Sequence, residues 1–92
     1  MIDVERISTA PDGCLFRVRV NEADSQTEHR VTVAQTDFER LTGSVVSPEH
    51  LVRRTFEFLL AREPKESILH QFDLSVVERY FPEFEAEVKR AL

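Results

Sequence analysis

The first third of the chain alternates between apolar and polar positions, which is the period of a β-strand that buries one face. Over residues 14–20 one face collects four apolar positions: Cys14, Phe16, Val18 and Val20. The alternation recurs over residues 29–34, where Val31 and Val33 face inward. Apolar positions over residues 2–8 supply a third strand. We predict a three-stranded antiparallel meander with residues 14–20 in its middle.

Two acidic residues near the N-terminus constrain how the first two strands pair. A turn with the sequence Pro-Asp-Gly joins these strands. Uninterrupted pairing from that turn would bury Asp3 and Glu5. A one-residue bulge near Arg6 avoids this burial and places Val4 opposite Val18, so we predict that bulge.

The second hairpin has a polar loop without glycine. If residues 24 and 25 form its centre, Val18 lies opposite Val31. The same register places Phe16 opposite Val33, and both pairs then lie on the core face.

From residue 36 onward the apolar positions recur at helical spacing. A short helix is predicted that ends at Gly43, and a longer one runs from the Ser-Pro-Glu sequence at Ser47 to about Arg62. Further helices are predicted over residues 65–72, after Asp73 as an N-cap, and from Pro82 onward. The prediction is therefore an α+β fold in which residues 1–92 form one domain. Its β-meander (residues 1–35) is covered on one face by three or four α-helices (residues 36–92).

Composition narrows the functional classes. The chain of 92 residues has a formal net charge of −5, which argues against a general attraction to nucleic acid or anionic membranes. Cys14 is the single cysteine, so neither an internal disulfide nor a thiolate zinc site is expected. The N-terminus does not resemble a signal peptide, and no apolar stretch has the length of a membrane span. We expect a cytoplasmic protein.

Two stretches in the second half carry a resemblance. They run from Phe56 to Leu69, FEFLLAREPKESIL, and from Phe72 to Glu85, FDLSVVERYFPEFE. Together they resemble the C-terminal half of a group of small uncharacterised bacterial proteins. The resemblance covers about a third of the chain and implies a bacterial domain of unknown function, without site residues.

The residues suited to catalysis or metal binding form no recognised pattern. The spacing of His29, His50 and His70 matches no zinc motif, and we expect each histidine at the surface or at a cap. The predicted register places Cys14 and His29 at opposite ends of the sheet, so a catalytic pair is not expected. We predict no catalytic residue, no cofactor, no metal site and no enzyme activity.

Three arginines share the outer face of the predicted sheet: Arg17, Arg19 and Arg30. Guanidinium groups in such a cluster bind anionic ligands or an acidic strip of a partner. The alternative interpretation is that cross-strand pairs with Glu5 and Asp3 neutralise Arg17 and Arg19.

Residues 66–81 have the outline of a helix-turn-helix, with two short apolar segments around a turn. The second segment offers only Ser75, Glu78 and Arg79 as polar contacts, and Glu78 would repel phosphate. The charge balance therefore argues against DNA binding.

The leading hypothesis is a non-enzymatic protein–protein interaction module that self-associates or binds a protein partner. It depends on the open edges of a small sheet and on two apolar surfaces. These are the wide stripe over residues 51–60 and the aromatic C-terminal positions Phe72, Tyr80, Phe81 and Phe84. The alternative is a nucleic-acid or anionic-ligand binding domain that uses the outer sheet face or residues 66–81.

Overall fold

Three long antiparallel strands form the first third of the molecule, as the alternating pattern predicts. The computed structural model describes all 92 residues. The strands are β1 (Ile2–Ala10), β2 (Gly13–Glu22) and β3 (Ser25–Ala34), with β2 in the middle. The α+β class is confirmed.

The predicted bulge is present in the first hairpin. The pairing of β1 with β2 shifts register between Arg6 and Ser8, and Val4 lies opposite Val18. The shift keeps Asp3 and Glu5 on the outer face, because a slip of one residue exchanges the two faces of a strand.

The second hairpin turns one residue earlier than predicted, which shifts the pairing of β2 with β3 by two residues. Its turn is Ala23-Asp24, and Val18 lies opposite His29 instead of Val31. Ala23 adopts a positive φ of 52°, a conformation that usually requires Gly or Asn. No residue of the loop signals such a turn, so the predicted centre was wrong.

His29 lies on the same face of β3 as Val31 and Val33, and its side chain is fully buried in the core. The expectation of a surface or capping histidine at this position was therefore wrong.

A fourth strand makes the sheet mixed, which corrects the prediction of a three-stranded meander. The strand β4 (Gln71–Asp73) pairs parallel with β3, and the order is β1-β2-β3-β4. The helix predicted over residues 65–72 is replaced by a 3-10 turn, Lys65–Ser67, followed by extended chain. The two-helix outline predicted over residues 66–81 is not formed.

The edge of β3 explains why this segment is extended. The Arg30 amide donates to the His70 carbonyl at 2.7 Å, and residues 30–32 pair with residues 71–73. These bonds satisfy backbone groups of β3 that would otherwise remain unpaired at the sheet edge. The spacing of Ile68 and Phe72 fits a helix equally well, so the sequence pattern alone does not indicate a strand here.

Four helices follow the meander: α1 (Gln35–Thr42), α2 (Pro48–Leu60), α3 (Leu74–Tyr80) and α4 (Phe84–Ala91). Their ends follow local chemistry. The Ser47 hydroxyl accepts the His50 amide at the start of α2, and the Asp73 carboxylate accepts the Ser75 amide at the start of α3. Gly43 ends α1 in the left-handed conformation.

The helices pack on one face of the sheet, and the opposite face is open. The core joins the inward strand positions to the helices, including these fully buried residues: Phe16, Val18, Val20, Val31, Leu51, Val52, Phe56, Leu74 and Phe84. None of the helices has the length and apolar character that would carry it through a bilayer.

Candidate functional site

The three predicted arginines lie together on the outer sheet face, among carboxylates. Arg17 is directly opposite Arg30, since both occupy facing positions of β2 and β3. Arg17 bonds Glu5 at 3.1 Å and lies 3.7 Å from Glu28, which also accepts from Arg19 at 3.2 Å. The predicted pairing of Glu5 with Arg17 is therefore confirmed.

Arg30 is the one arginine of the three without a carboxylate partner. Arg19 lies opposite Asp3 on β1 and opposite Glu28 on β3. The outer face thus carries a network of opposite charges. The guanidinium of Arg30 is unpaired and exposed to solvent.

An apolar groove lies on the other side of β4, between the end of α2 and α3. Its volume is about 320 Å³. Eight of its ten lining residues are hydrophobic: Leu59, Ile68, Leu69, Phe72, Val76, Val77, Tyr80 and Phe81, with Glu63 and Ser67 as the polar members. We call this feature the apolar groove.

Two large apolar side chains of the groove face solvent. The side chain of Leu69 is 52% exposed and that of Tyr80 is 72% exposed. Leu69 is exposed because the chain from Ile68 is extended, so that consecutive side chains point to opposite sides while Ile68 is buried. Tyr80 is the last residue of α3.

The groove has one acidic lining residue, Glu63. Arg79 is on α3, about 60° around the helix from the lining residue Val76 and on the side away from Val77, Tyr80 and Phe81. Its charge helps to lower the pKa of Asp73. Neither Glu63 nor Arg79 forms an ion pair within the chain. Glu63 in the groove is therefore without a basic partner of its own chain.

A pair of histidines holds the segment that carries Leu69. His29 Nδ1 lies 2.8 Å from the Leu69 carbonyl oxygen, and His70 Nδ1 lies 3.1 Å from the Glu28 carbonyl oxygen. A carbonyl only accepts, so both Nδ1 atoms carry the proton and donate it. The remaining nitrogen of His29 accepts from the Thr27 hydroxyl at 2.9 Å.

The environment of His29 favours the neutral imidazole. The ring is fully buried, 5.3 Å from the Phe56 ring and stacked 5.5 Å from the His70 ring. Burial lowers the pKa of His29, the hydrogen bond to Leu69 opposes this, and the resulting pKa lies below the ordinary imidazole value. His29 was predicted at the surface or at a cap, and the structure buries it instead.

The residues considered for catalysis do not converge. Cys14 lies opposite Val33 at one end of the sheet, four positions along β3 from His29, and its sulfur is 3.9 Å from the Thr9 hydroxyl. No group of three or more His, Cys, Asp or Glu side chains is arranged to hold a metal ion.

The predicted association surfaces divide into core and groove. The stripe over residues 51–60 is largely buried within the chain, and so is Phe84. Phe72, Tyr80 and Phe81 line the groove, together with Leu69, which sequence reasoning had assigned to a helix. Only strand alternation from Ile68 onward would have identified Leu69 as an outward residue.

Comparisons with protein-family models, with curated proteins and with solved structures found no match to this chain.

Proposed function

We propose that the protein is a non-enzymatic interaction module that forms a homodimer through the apolar groove. The observation that supports this most is the pair Leu69 and Tyr80, which project from the rim of a groove lined by apolar residues. Burying these side chains against a second groove would remove apolar surface from water, which is the main driving force of association.

Charge complementarity favours a second copy as the occupant. In a two-fold dimer the same patch faces itself, which would allow the long side chain of Arg79 on α3 to reach Glu63 of the other chain. Two symmetric ion pairs of this kind would compensate the carboxylate that lines each groove. An apolar partner without a charge pair would leave Glu63 buried and uncompensated.

The patch is small, so the dimer is expected to be weak. A groove of about 320 Å³ with two projecting side chains belongs to the low end of specific interfaces. We expect a dissociation constant on the order of micromolar.

Sedimentation velocity with a groove variant tests this proposal. Leu69→Lys places a charge at the centre of the interface and should raise the dissociation constant at least about tenfold. Since Leu69 is half exposed, the fold should remain intact, which circular dichroism would show. Val45→Lys is the matched control, because Val45 is an 82% exposed apolar residue in the loop before α2.

A charge exchange adds a stricter test of the two-fold geometry. Glu63→Lys and Arg79→Glu should each weaken the dimer, and the double variant should restore it. A chain that stays monomeric at about 100 μM, or that dimerises equally well with Leu69→Lys, would contradict the proposal.

Ligand binding by Arg17, Arg19 and Arg30 stays a prediction. Binding of an anionic ligand there would weaken steeply with salt.

A further inference from the structure

The side chain that dominates the groove and the backbone bond that positions it belong to the same residue. Leu69 projects its side chain at the groove rim, and its carbonyl oxygen accepts a hydrogen bond from buried His29. The neighbouring His70 is bonded to β3 in the same way, through the Glu28 carbonyl. The segment of residues 68–70 is therefore attached to the sheet by two imidazole rings.

We propose that the stacked pair of His29 and His70 is a pH switch for the apolar groove: acidification releases the 68–70 segment from β3 and weakens self-association. The inference rests on the proposed function, because the consequence for dimerisation requires that the groove is the interface. The release of the segment itself does not depend on dimerisation.

The switch follows from what a proton does to each ring. The hydrogen bonds made by the two Nδ1 atoms survive protonation, since the imidazolium still donates there. The added charge, however, would be enclosed in a fully buried ring that stacks on the His70 ring 5.5 Å away. Opening of the 68–70 segment removes His70 from that position and admits water to His29.

Few groups around His29 oppose this effect. From the 68–70 segment it faces His70, and along β3 it is next to Glu28, whose carboxylate is engaged by Arg17 and Arg19. From α2 it faces the apolar ring of Phe56, and β2 places Val18 opposite it. Glu28 favours the charged imidazole, but burial is the stronger influence on the pKa of His29.

The pH range of the switch follows from the direction of the shift. The pKa of His29 is lowered in the closed state, so the open state binds more protons wherever the two states differ. Closure is complete above the ordinary imidazole pKa of about 6.5 and weakens as the pH falls below it. At pH 5.5 the opening equilibrium should rise by up to about tenfold, the limit for a ring that stays neutral when closed.

Amide hydrogen exchange at pH 7.5 and pH 5.5 measures the release directly. The Arg30 amide donates to the His70 carbonyl at 2.7 Å, so its protection reports whether the segment is attached. Its protection factor should fall by up to about tenfold at pH 5.5, while amides in the middle of α2 keep theirs. In parallel, the dimer dissociation constant from sedimentation should rise in proportion to the loss of the closed fraction, by at most the same factor of about ten.

Variants assign the effect to His29. His29→Gln removes the titrating ring and retains an N–H donor, so the protection of the Arg30 amide should become independent of pH. His50→Gln, at the half-buried start of α2, is the matched control and should retain the wild-type response. If His29→Gln does not fold, NMR titration of wild-type His29 decides, and a pKa at or above about 6.5 would overturn the switch.

Unchanged protection of Arg30 at pH 5.5, or an equal pH response in His29→Gln, would also overturn it. A chain that is monomeric at both pH values would contradict the proposed dimer, whereas the Arg30 amide would still test the release.

Discussion

The two faces of the sheet differ in how their polar side chains are bonded and hydrated. On the core face His29 is fully buried, and both ring nitrogens have hydrogen-bond partners. On the outer face Arg17 shares two carboxylates, while its Nε is enclosed without a hydrogen bond. A polar group on the covered face therefore requires a defined partner, whereas the ion pairs of the open face keep their carboxylates in contact with water.

The difference means that similar substitutions should have very different effects on stability. Removing a side chain from the covered face leaves a cavity or an unsatisfied group. Removing one from the open face replaces an exposed ion pair by water. Three substitutions rank the two faces on one scale.

The largest effect is expected at the centre of the covered face. Phe16 is fully buried, opposite Val31 on β3. Phe16→Ala should lower the free energy of unfolding by about 3–5 kcal/mol, because it creates a cavity under the helices. Urea denaturation measures this, and a loss below about 1 kcal/mol would remove the distinction between the faces.

An intermediate effect is expected at Asp73, where the sheet edge meets α3. Its carboxylate accepts the Thr32 hydroxyl at 2.6 Å and the Ser75 amide at 3.1 Å. Asp73→Ala should lower the free energy of unfolding by about 1–2 kcal/mol. Asp73→Asn is the matched control, since it keeps an oxygen that caps α3.

The same carboxylate adds a pH dependence with a known sign. Burial raises the pKa of Asp73, but hydrogen bonds from Thr32 and Ser75 outweigh it, and the pKa lies below the ordinary value. The contribution is complete above the unfolded pKa of about 3.9 and is lost as the pH falls through the folded pKa. The difference between wild type and Asp73→Ala should therefore shrink in strong acid.

The smallest effect is expected on the open face. Arg17→Ala should change the free energy of unfolding by less than about 1 kcal/mol, since both of its carboxylate partners are about half exposed. Removing the enclosed Nε without a partner offsets part of that loss. A double-mutant cycle with Glu5→Ala isolates the pair, and a coupling above about 2 kcal/mol would contradict this ranking.

Much of the sheet was predictable because its apolar positions allow few registers. The bulge after Arg6 follows from keeping Asp3 and Glu5 out of the core, and the structure contains it. The second hairpin was not predictable to the residue, because a turn through Ala23 with positive φ has no signature in the sequence. The difference of two residues in register left the same side chains on the buried face and changed only which of them lie opposite each other.

The candidate site was less predictable than the fold. The aromatic residues Phe72, Tyr80 and Phe81 were identified as an association surface, and they line the groove. Leu69 and the role of His29 depend on β4, a strand of three residues whose partner lies 41 residues earlier in the chain. Periodicity over so short a segment does not separate strand from helix, and long-range pairing decides it.

The parallel pairing of β4 has a consequence for synthesis. The edge of β3 that pairs with β4 is complete once the first 34 residues are synthesised, but β4 itself is complete only at Asp73. During that interval a nascent chain presents an unprotected strand, the kind of surface that templates aggregation. Slowing translation between α1 and β4 should therefore lengthen the time in which a molecular chaperone is needed.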